Sequence, residues 1–151
     1  MKKSTLDNVK FFNLKTIVEE DGNLVPIESN IDVPFSIKRV FYVYGVKDQK
    51  NRGEHSHRKT EQIIICLNGK LEVLCDDGVN KKKYLLESPQ QALYIPSMIW
   101  DEQNYLTNDT VMLVLCNNHY NINDYVDSYD DFLKTKNIKK WKINVQYNIF
   151  L

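Results

Sequence analysis

The sequence predicts an antiparallel β-sandwich or barrel. Short apolar runs recur at residues 11–17, 37–44, 63–67, 71–75, 84–86, 92–95 and 111–116. Turn-forming residues separate them, and no helical pattern alternates with them as a parallel βαβ sheet would require. Asn68-Gly69 lies between two of the runs and is the strongest short-range hairpin signal, because both residues tolerate positive φ. Asp76-Asp77-Gly78 ends the next run, and Pro89 and Pro96 bracket a further short strand.

One helix is expected near the end of this barrel. Ile122, Tyr125, Tyr129, Phe132 and Leu133 follow the three-and-four spacing of one helical face, with Asn121 or Asn123 available as N-cap. Asp124 and Asp127 then fall in its first turns, where they suit the positive end of the helix dipole. After position 134 the chain becomes basic. From 141 to 149 the odd positions (Trp141, Ile143, Val145, Tyr147, Ile149) are apolar. That alternation predicts a half-buried strand at a sheet edge or against a second subunit. The organisation expected is therefore one domain over 1–134 followed by a strand-forming tail over 135–151.

Length and charge narrow the function. At 151 residues the chain is long enough for one proper core. Lys+Arg and Asp+Glu balance at 20 each, so no global field calls for nucleic acid or an anionic membrane. The start, Met1-Lys-Lys-Ser-Thr-Leu-Asp7, lacks the apolar core of a signal peptide, and no run reaches membrane-spanning length. Cys66, Cys75 and Cys116 sit in or at the end of apolar runs and read as buried free thiols. A soluble cytoplasmic protein is expected.

The most informative stretch is Arg52-Gly-Glu-His55-Ser-His57, followed by Lys59, Glu61 and Gln62. In an extended chain His55 and His57 share a face, with Lys59 on that face too. Two imidazoles on one strand could bind a metal or act as a general acid/base pair; an exposed edge strand is the bland alternative. Metal-binding cupins add a Glu a few residues on and a later His. Here Gln62 and Asp101 stand at those places, so no metal is expected. Proton transfer suits the pair better, because imidazole takes and returns a proton near neutral pH.

At these residues the chain resembles the sugar-nucleotide 3,4-ketoisomerases of the cupin superfamily, the WxcM-like or FdtA-like family. The landmarks run from Pro34 to Lys134: Pro34-Phe-Ser-Ile-Lys-Arg39-Val-Phe-Tyr42-Val-Tyr44; the His55 motif through Gln62; Cys66-Leu-Asn68-Gly69; Asp76-Asp-Gly78; Leu86-Glu-Ser-Pro89; Tyr94-Ile-Pro96 with Trp100; and Tyr120-Asn-Ile-Asn-Asp124-Tyr125 with Tyr129-Asp130. The chain departs from the family at Asp101, where a histidine often stands. It also lacks the basic residue often found before Gly22. The resemblance implies a jelly-roll (double-stranded β-helix) cupin barrel with one C-terminal helix, and a dTDP-linked 4-keto-6-deoxyhexose as substrate. It implies isomerisation to the 3-keto sugar through an enediol, feeding 3-amino sugar biosynthesis for surface polysaccharide, without a cofactor. His55 and His57 are the expected acid/base pair. Arg39 and Arg52 are candidates for the pyrophosphate, with Lys59 beside them, and Tyr42 and Tyr44 for the sugar; Trp100 is assigned to packing. A homodimer is expected. Rivals are a non-catalytic cupin module that binds sugar nucleotides, a metal-dependent cupin, and a sugar-nucleotide epimerase.

Overall fold

Paired apolar runs build two facing five-stranded antiparallel sheets in the computed structural model, which describes residues 3–138. In chain order the strands are β1 (Lys10–Asn13), β2 (Ile17–Glu19), β3 (Gly22–Leu24), β4 (Arg39–Val43), β5 (Asn51–His57), β6 (Gln62–Asn68), β7 (Leu71–Asp76), β8 (Lys81–Leu86), β9 (Gln91–Ile95), β10 (Trp100–Tyr105), β11 (Val111–Cys116) and β12 (Tyr125–Val126). One helix, α1 (Tyr129–Thr135), follows. One sheet has the order β1-β9-β6-β11-β4 and the other β12-β5-β10-β7-β8; β2 and β3 form a separate hairpin. This is a jelly roll, the expected architecture.

Burial divides into three layers. Between the sheets lie Ile64, Cys66, Val73, Cys75, Leu93, Tyr105, Met112 and Val114, contributed by both. The outer face of the first sheet packs Ile63, Ile65 and Leu115 under Val33 and Phe35. The outer face of the second packs Trp100 and Val126 under Phe132 and Leu133 of α1. Covered faces on both sides explain why β6 reads as an unbroken apolar run instead of alternating. Each fully buried Ile, Leu or Phe stabilises these layers by roughly 1.5–3 kcal/mol.

Three expectations change. First, Asn68-Gly69 is not a hairpin turn: β6 and β7 lie in opposite sheets, and both edges of β6 are already paired, to β9 and β11. Gly69, at φ +75°, instead turns a corner between sheets. The Asp76-Asp77-Gly78 turn does close a hairpin, with Asp76 opposite Lys81. Second, the helix expected from Asn121 onward breaks into a 3₁₀ turn at Ile122–Asp124, strand β12, and α1, whose N-cap is Ser128. Asn121 caps only the 3₁₀ turn, through Asn123 N–H. Tertiary bonds override the periodicity: the Asp124 carboxylate is drawn to β5 and the backbone after it, and Tyr125 and Val126 pair with His57 and Ser56. Third, run 11–17 splits into β1 and β2, and β10 and the β2–β3 hairpin carry too few apolar residues to be read from hydropathy. The packed unit continues through Lys136, 4 % exposed, and Ile138, beyond the expected 1–134 boundary. The alternating strand at 141–149 lies outside the described residues.

Candidate active site

The two sheets meet at one mouth lined by polar side chains. From the first sheet, Arg39, Cys116 and Gln62 occupy one register row across β4, β11 and β6. All three lie on the inner face, in phase with Phe41, Met112, Val114 and Ile64. From the second sheet, His57 pairs with Tyr125 and His55 with Asp101. Cross-strand partners share a face, so these four side chains also turn inward.

A β-bulge shapes β5. Asp101 pairs with His55 but Glu102 pairs with Gly53, leaving Glu54 unopposed. Gly53 and Glu54 both have positive φ, +82° and +58°. A Cβ on Gly53 would come within 3.0 Å of the Asp101 carbonyl oxygen and 3.2 Å of its Oδ1, so glycine alone fits. The extra residue shifts the alternation. Arg52 now pairs with Gln103, which lies on the inner face with Asp101 and donates to its Oδ1 at 2.7 Å. Strict alternation would set Arg52 against the histidines; the bulge brings it to their side.

His57 is fully engaged. Its Nδ1 lies 3.1 Å from Asp124 Oδ2 and its Nε2 3.1 Å from Gln62 Nε2. An amide nitrogen only donates, so His57 Nε2 accepts and Nδ1–H donates to Asp124. Burial, reinforced by neighbouring His55, pushes the His57 pKa down to about 4 against the pull of Asp124. Asp124 also accepts from Lys59 N–H at 2.7 Å and from the Thr60 hydroxyl at 2.5 Å. Burial would raise its pKa, but the hydrogen bonds from Thr60 and Lys59, with His57 beside it, hold it below the usual carboxylate range. The ring is therefore neutral and fixed in tautomer and orientation.

His55 is held differently. It is partly exposed, and it meets its neighbours through its ring: 5.0 Å edge-on to His57 and 5.1 Å from Tyr125 between centroids. Tyr125 packs 4.5 Å from His57, and burial raises its phenol pKa while the positive charge of Arg39 opposes the rise. Arg39 stacks over Phe41 and Tyr120, donates to Cys116 Sγ at 3.5 Å, and keeps a buried Nε without a partner. Asp101 is 1 % exposed, and burial raises its pKa against the opposing pull of His55.

The structure thus brings together His55, His57 and Arg39; Arg52 is exposed and lines a second cleft of about 690 Å³ beside Tyr42 and Tyr44. It does not bring Tyr42 or Tyr44. In phase with Val40, Tyr42 on β4 and Tyr44 just past its end face outward, 64 % and 70 % exposed, and pack on each other at 6.0 Å. The alternation that puts Arg39 inside puts both tyrosines outside. Lys59 follows the end of β5, so alternation does not place it. It lines a polar cleft of about 820 Å³ with Lys38, Arg58, His119, Tyr120 and Asp124. Trp100 packs against Tyr129 and Phe132 beneath α1, as expected of a packing residue. The sequence marks Gln62 as a poor metal ligand and Asp124 and Tyr125 as helix residues, all three as family landmarks, and none with a role in the site. Their signal was the Asn121-x-Asn123-Asp124 turn chemistry, which favours a local cap over a continuing helix.

Comparison with known proteins identifies the site's relatives. The family model FdtA, described as WxcM-like, C-terminal, matches residues 7–137. A TDP-4-oxo-6-deoxy-alpha-D-glucose-3,4-oxoisomerase from Aneurinibacillus thermoaerophilus is 42 % identical over 125 residues, covering 83 % of this chain and 90 % of the relative. A histidine-to-asparagine variant of the 3,4-ketoisomerase QdtA from Thermoanaerobacterium thermosaccharolyticum, crystallised with TDP-4-keto-6-deoxyglucose, superimposes with TM-score 0.84 at 37 % identity, covering 87 % of this chain and 95 % of that one. The TDP-fucose-3,4-ketoisomerase WlaRA from Campylobacter jejuni superimposes with TM-score 0.80 at 36 % identity, covering 85 % and 96 %.

Proposed function

The chain belongs to the WxcM-like FdtA family, and from that premise we propose that it isomerises a dTDP-linked 4-keto-6-deoxyhexose to its 3-keto isomer. It is an enzyme, an intramolecular oxidoreductase, and not a passive sugar-nucleotide module. The adjacent C4 carbonyl acidifies C3–H. Removal of that proton gives a cis-enediol, and return of a proton to C4 leaves the ketone at C3. The electrons never leave the sugar, so no redox cofactor enters the balance.

The observation that carries this reading is the unequal state of the two histidines. His57 has both ring nitrogens hydrogen-bonded and its pKa held near 4, whereas His55 faces the same inner space with its ring packed but not tied. This supports His55 as the base that moves the proton between C3 and C4. His57 is its positioning neighbour, oriented by Asp124 and Gln62. Lys59, Arg58 and Lys38 line one cleft beside Asp124, and Arg52 lines another with Lys47 and Lys50; either set of cations supports pyrophosphate binding. Gln62 also bears on metal: its amide sits on the His57 nitrogen that a cupin metal would use. Among the described residues no three His, Cys, Asp or Glu side chains are grouped so as to hold a metal ion. The reaction is assigned to the side chains alone.

Quaternary state and compartment follow the same reading. The exposed Val40 and Tyr42 on edge strand β4 and Tyr44 just past its end, with Val18 and Leu24 of the hairpin, support burial against a second copy as a homodimer. Light scattering that shows a monomer at micromolar concentration would count against it. The buried free thiols Cys66, Cys75 and Cys116 support a reducing compartment, the cytoplasm, and among the described residues no helix is long and apolar enough to cross a membrane. The activity is tested by incubating the protein with dTDP-4-keto-6-deoxyglucose in deuterated water and following the sugar by NMR. The 3-keto isomer carrying deuterium at C4 is expected; an unchanged sugar defeats the proposal.

A further inference from the structure

The paired histidines sit at the C-terminal end of β5, where the strand runs out of ladder. Pairing of β5 with β10 stops at His55 and Asp101, and the ladder partner of His57 is Tyr125 of β12. The edge that β10 leaves is closed by one backbone bond: Met98 N–H donates to the His57 carbonyl at 2.7 Å. That bond fixes where the backbone carrying both rings ends.

Met98 makes it from an unfavourable conformation. It lies in the turn between β9 and β10 with φ +61°. A non-glycine residue rarely adopts this left-handed region and stays there only where its surroundings hold it. The Met98 side chain packs on the Trp100 cluster beneath α1, and its carbonyl accepts from Lys136, the first residue past that helix. The Lys136 side chain is buried. Its ammonium donates to the Met98 carbonyl at 3.0 Å and to the Ser4 carbonyl at 2.6 Å, and lies 5.5 Å from the centre of the Phe132 ring. A buried cation cannot give up its acceptors cheaply, so the ammonium and the two carbonyls fix one another. Burial lowers the Lys136 pKa, and the carboxylates of Asp77 and Asp76 oppose that fall. Both polar atoms of one strained peptide residue are thus committed, the N–H to His57 and the C=O to Lys136.

We propose that Lys136 is a positioning residue for the isomerase: it holds the left-handed turn at Met98, and Met98 holds the end of β5 so that the paired histidines meet the sugar in one geometry. The role rests on the ketoisomerase reading above and is the same whichever ring takes the proton. It runs entirely through backbone, from the end of α1 to the last residue of β5.

The test reads amide exchange and turnover together. In Lys136→Met the Met98 amide should exchange with deuterated water about tenfold faster or more, while the β6 amides stay near wild type. The kcat should fall, by up to about 10²-fold, because a small displacement of the reacting groups is costly; dTDP affinity should stay close to wild type. Adding Met98→Gly to Lys136→Met should restore much of kcat, since glycine takes positive φ without support. Adding Met98→Ala, which also truncates the side chain but keeps the strain, should not. Tyr129→Phe removes a hydrogen bond from α1, leaves Lys136 and Met98 their partners, and serves as the stability control with kcat unchanged. If Lys136→Met melts below the assay temperature, Lys136→Gln carries the same comparison with a smaller fall. Unchanged Met98 exchange, unchanged kcat in the Lys136 variant, or equal kcat in the Gly and Ala double variants overturns the assignment. A wild-type protein inert towards the sugar overturns the ketoisomerase reading instead, and the exchange comparison still decides whether Lys136 holds the turn.

Discussion

Two buried carboxylate clusters tie the C-terminal segment to the barrel, and they differ in one respect. At the far clasp every polar atom is matched. Asp76 accepts from Gly78 N–H at 2.6 Å and the Tyr129 hydroxyl at 2.7 Å, and pairs with the Lys81 ammonium at 3.4 Å. Asp77 accepts from Leu6, Val79 and Asn80 N–H groups, and Lys136 donates to the Ser4 and Met98 carbonyls. At the mouth, Asp124 is equally well matched and so is His57. Beside them, however, stand His55, the Tyr125 phenol and Arg39 with its unpartnered Nε. A saturated network fixes structure and has nothing to offer a ligand; the mouth saturates its supports and leaves its inner edge with capacity.

The sharpest way to break this contrast is His55→Asn. Isomerisation should fall about 10²–10⁴-fold in an NMR assay, with dTDP affinity and melting temperature close to wild type. A variant turning over at wild-type rate would place the chemistry elsewhere.

The next effect is on stability. The His57 pKa is lowered in the folded protein, to about 4 from 6.5, so between those values the unfolded chain binds the extra proton. Stability from this site is then full above pH 6.5 and is lost as pH falls towards 4, by about 3 kcal/mol in all. Asp124, also lowered, adds loss in the same direction at still lower pH. Urea titrations at pH 7 and pH 4.5 should show the drop in wild type and a smaller one in His57→Asn. Equal drops in the two would mean that the ring is not held neutral.

At the clasp, Tyr129→Phe leaves Asp76 one hydrogen bond short and should cost about 1–3 kcal/mol in a denaturant titration. Its kcat should match wild type, since nothing there faces the mouth. A fall in kcat without a stability change would erase the distinction between the clusters. The smallest effect expected is none: exhaustive chelation should leave the isomerisation rate unchanged. Loss restored by one divalent ion would show that Gln62 yields its place on His57 to a metal.

The legibility of the site follows from the kind of signal each residue carries. His55 and His57 stand out because a His-x-His pair on a strand puts both rings on one face whatever surrounds them. Arg39 was named from the family resemblance, as a phosphate candidate; that it shares the inner face with Phe41 and Val43 appears only once β4 is placed. Tyr42 and Tyr44 were misplaced because alternation says that they share a face without saying which face is inside. Tyr125 and Asp124 were hidden by a helical spacing that β12 and the Asp124 hydrogen bonds overrule. β10 was missed because its inward residues include Asp101 and Gln103, polar where a core strand should be apolar.

By itself the sequence determined the all-β architecture, most strand positions, the paired histidines and the family, because these rest on local periodicity, turn chemistry and motif order. Only the tertiary structure decided that Asn68-Gly69 joins two sheets and that the bulge at Gly53-Glu54 turns Arg52 towards the histidines. It alone separated His57, clamped between Asp124 and Gln62, from His55. Those outcomes depend on which strands meet across the barrel, with the carboxylate that clamps His57 lying 67 positions further along the chain. No window of local sequence encodes such pairings; they are set by burial, when both sheets close over one core.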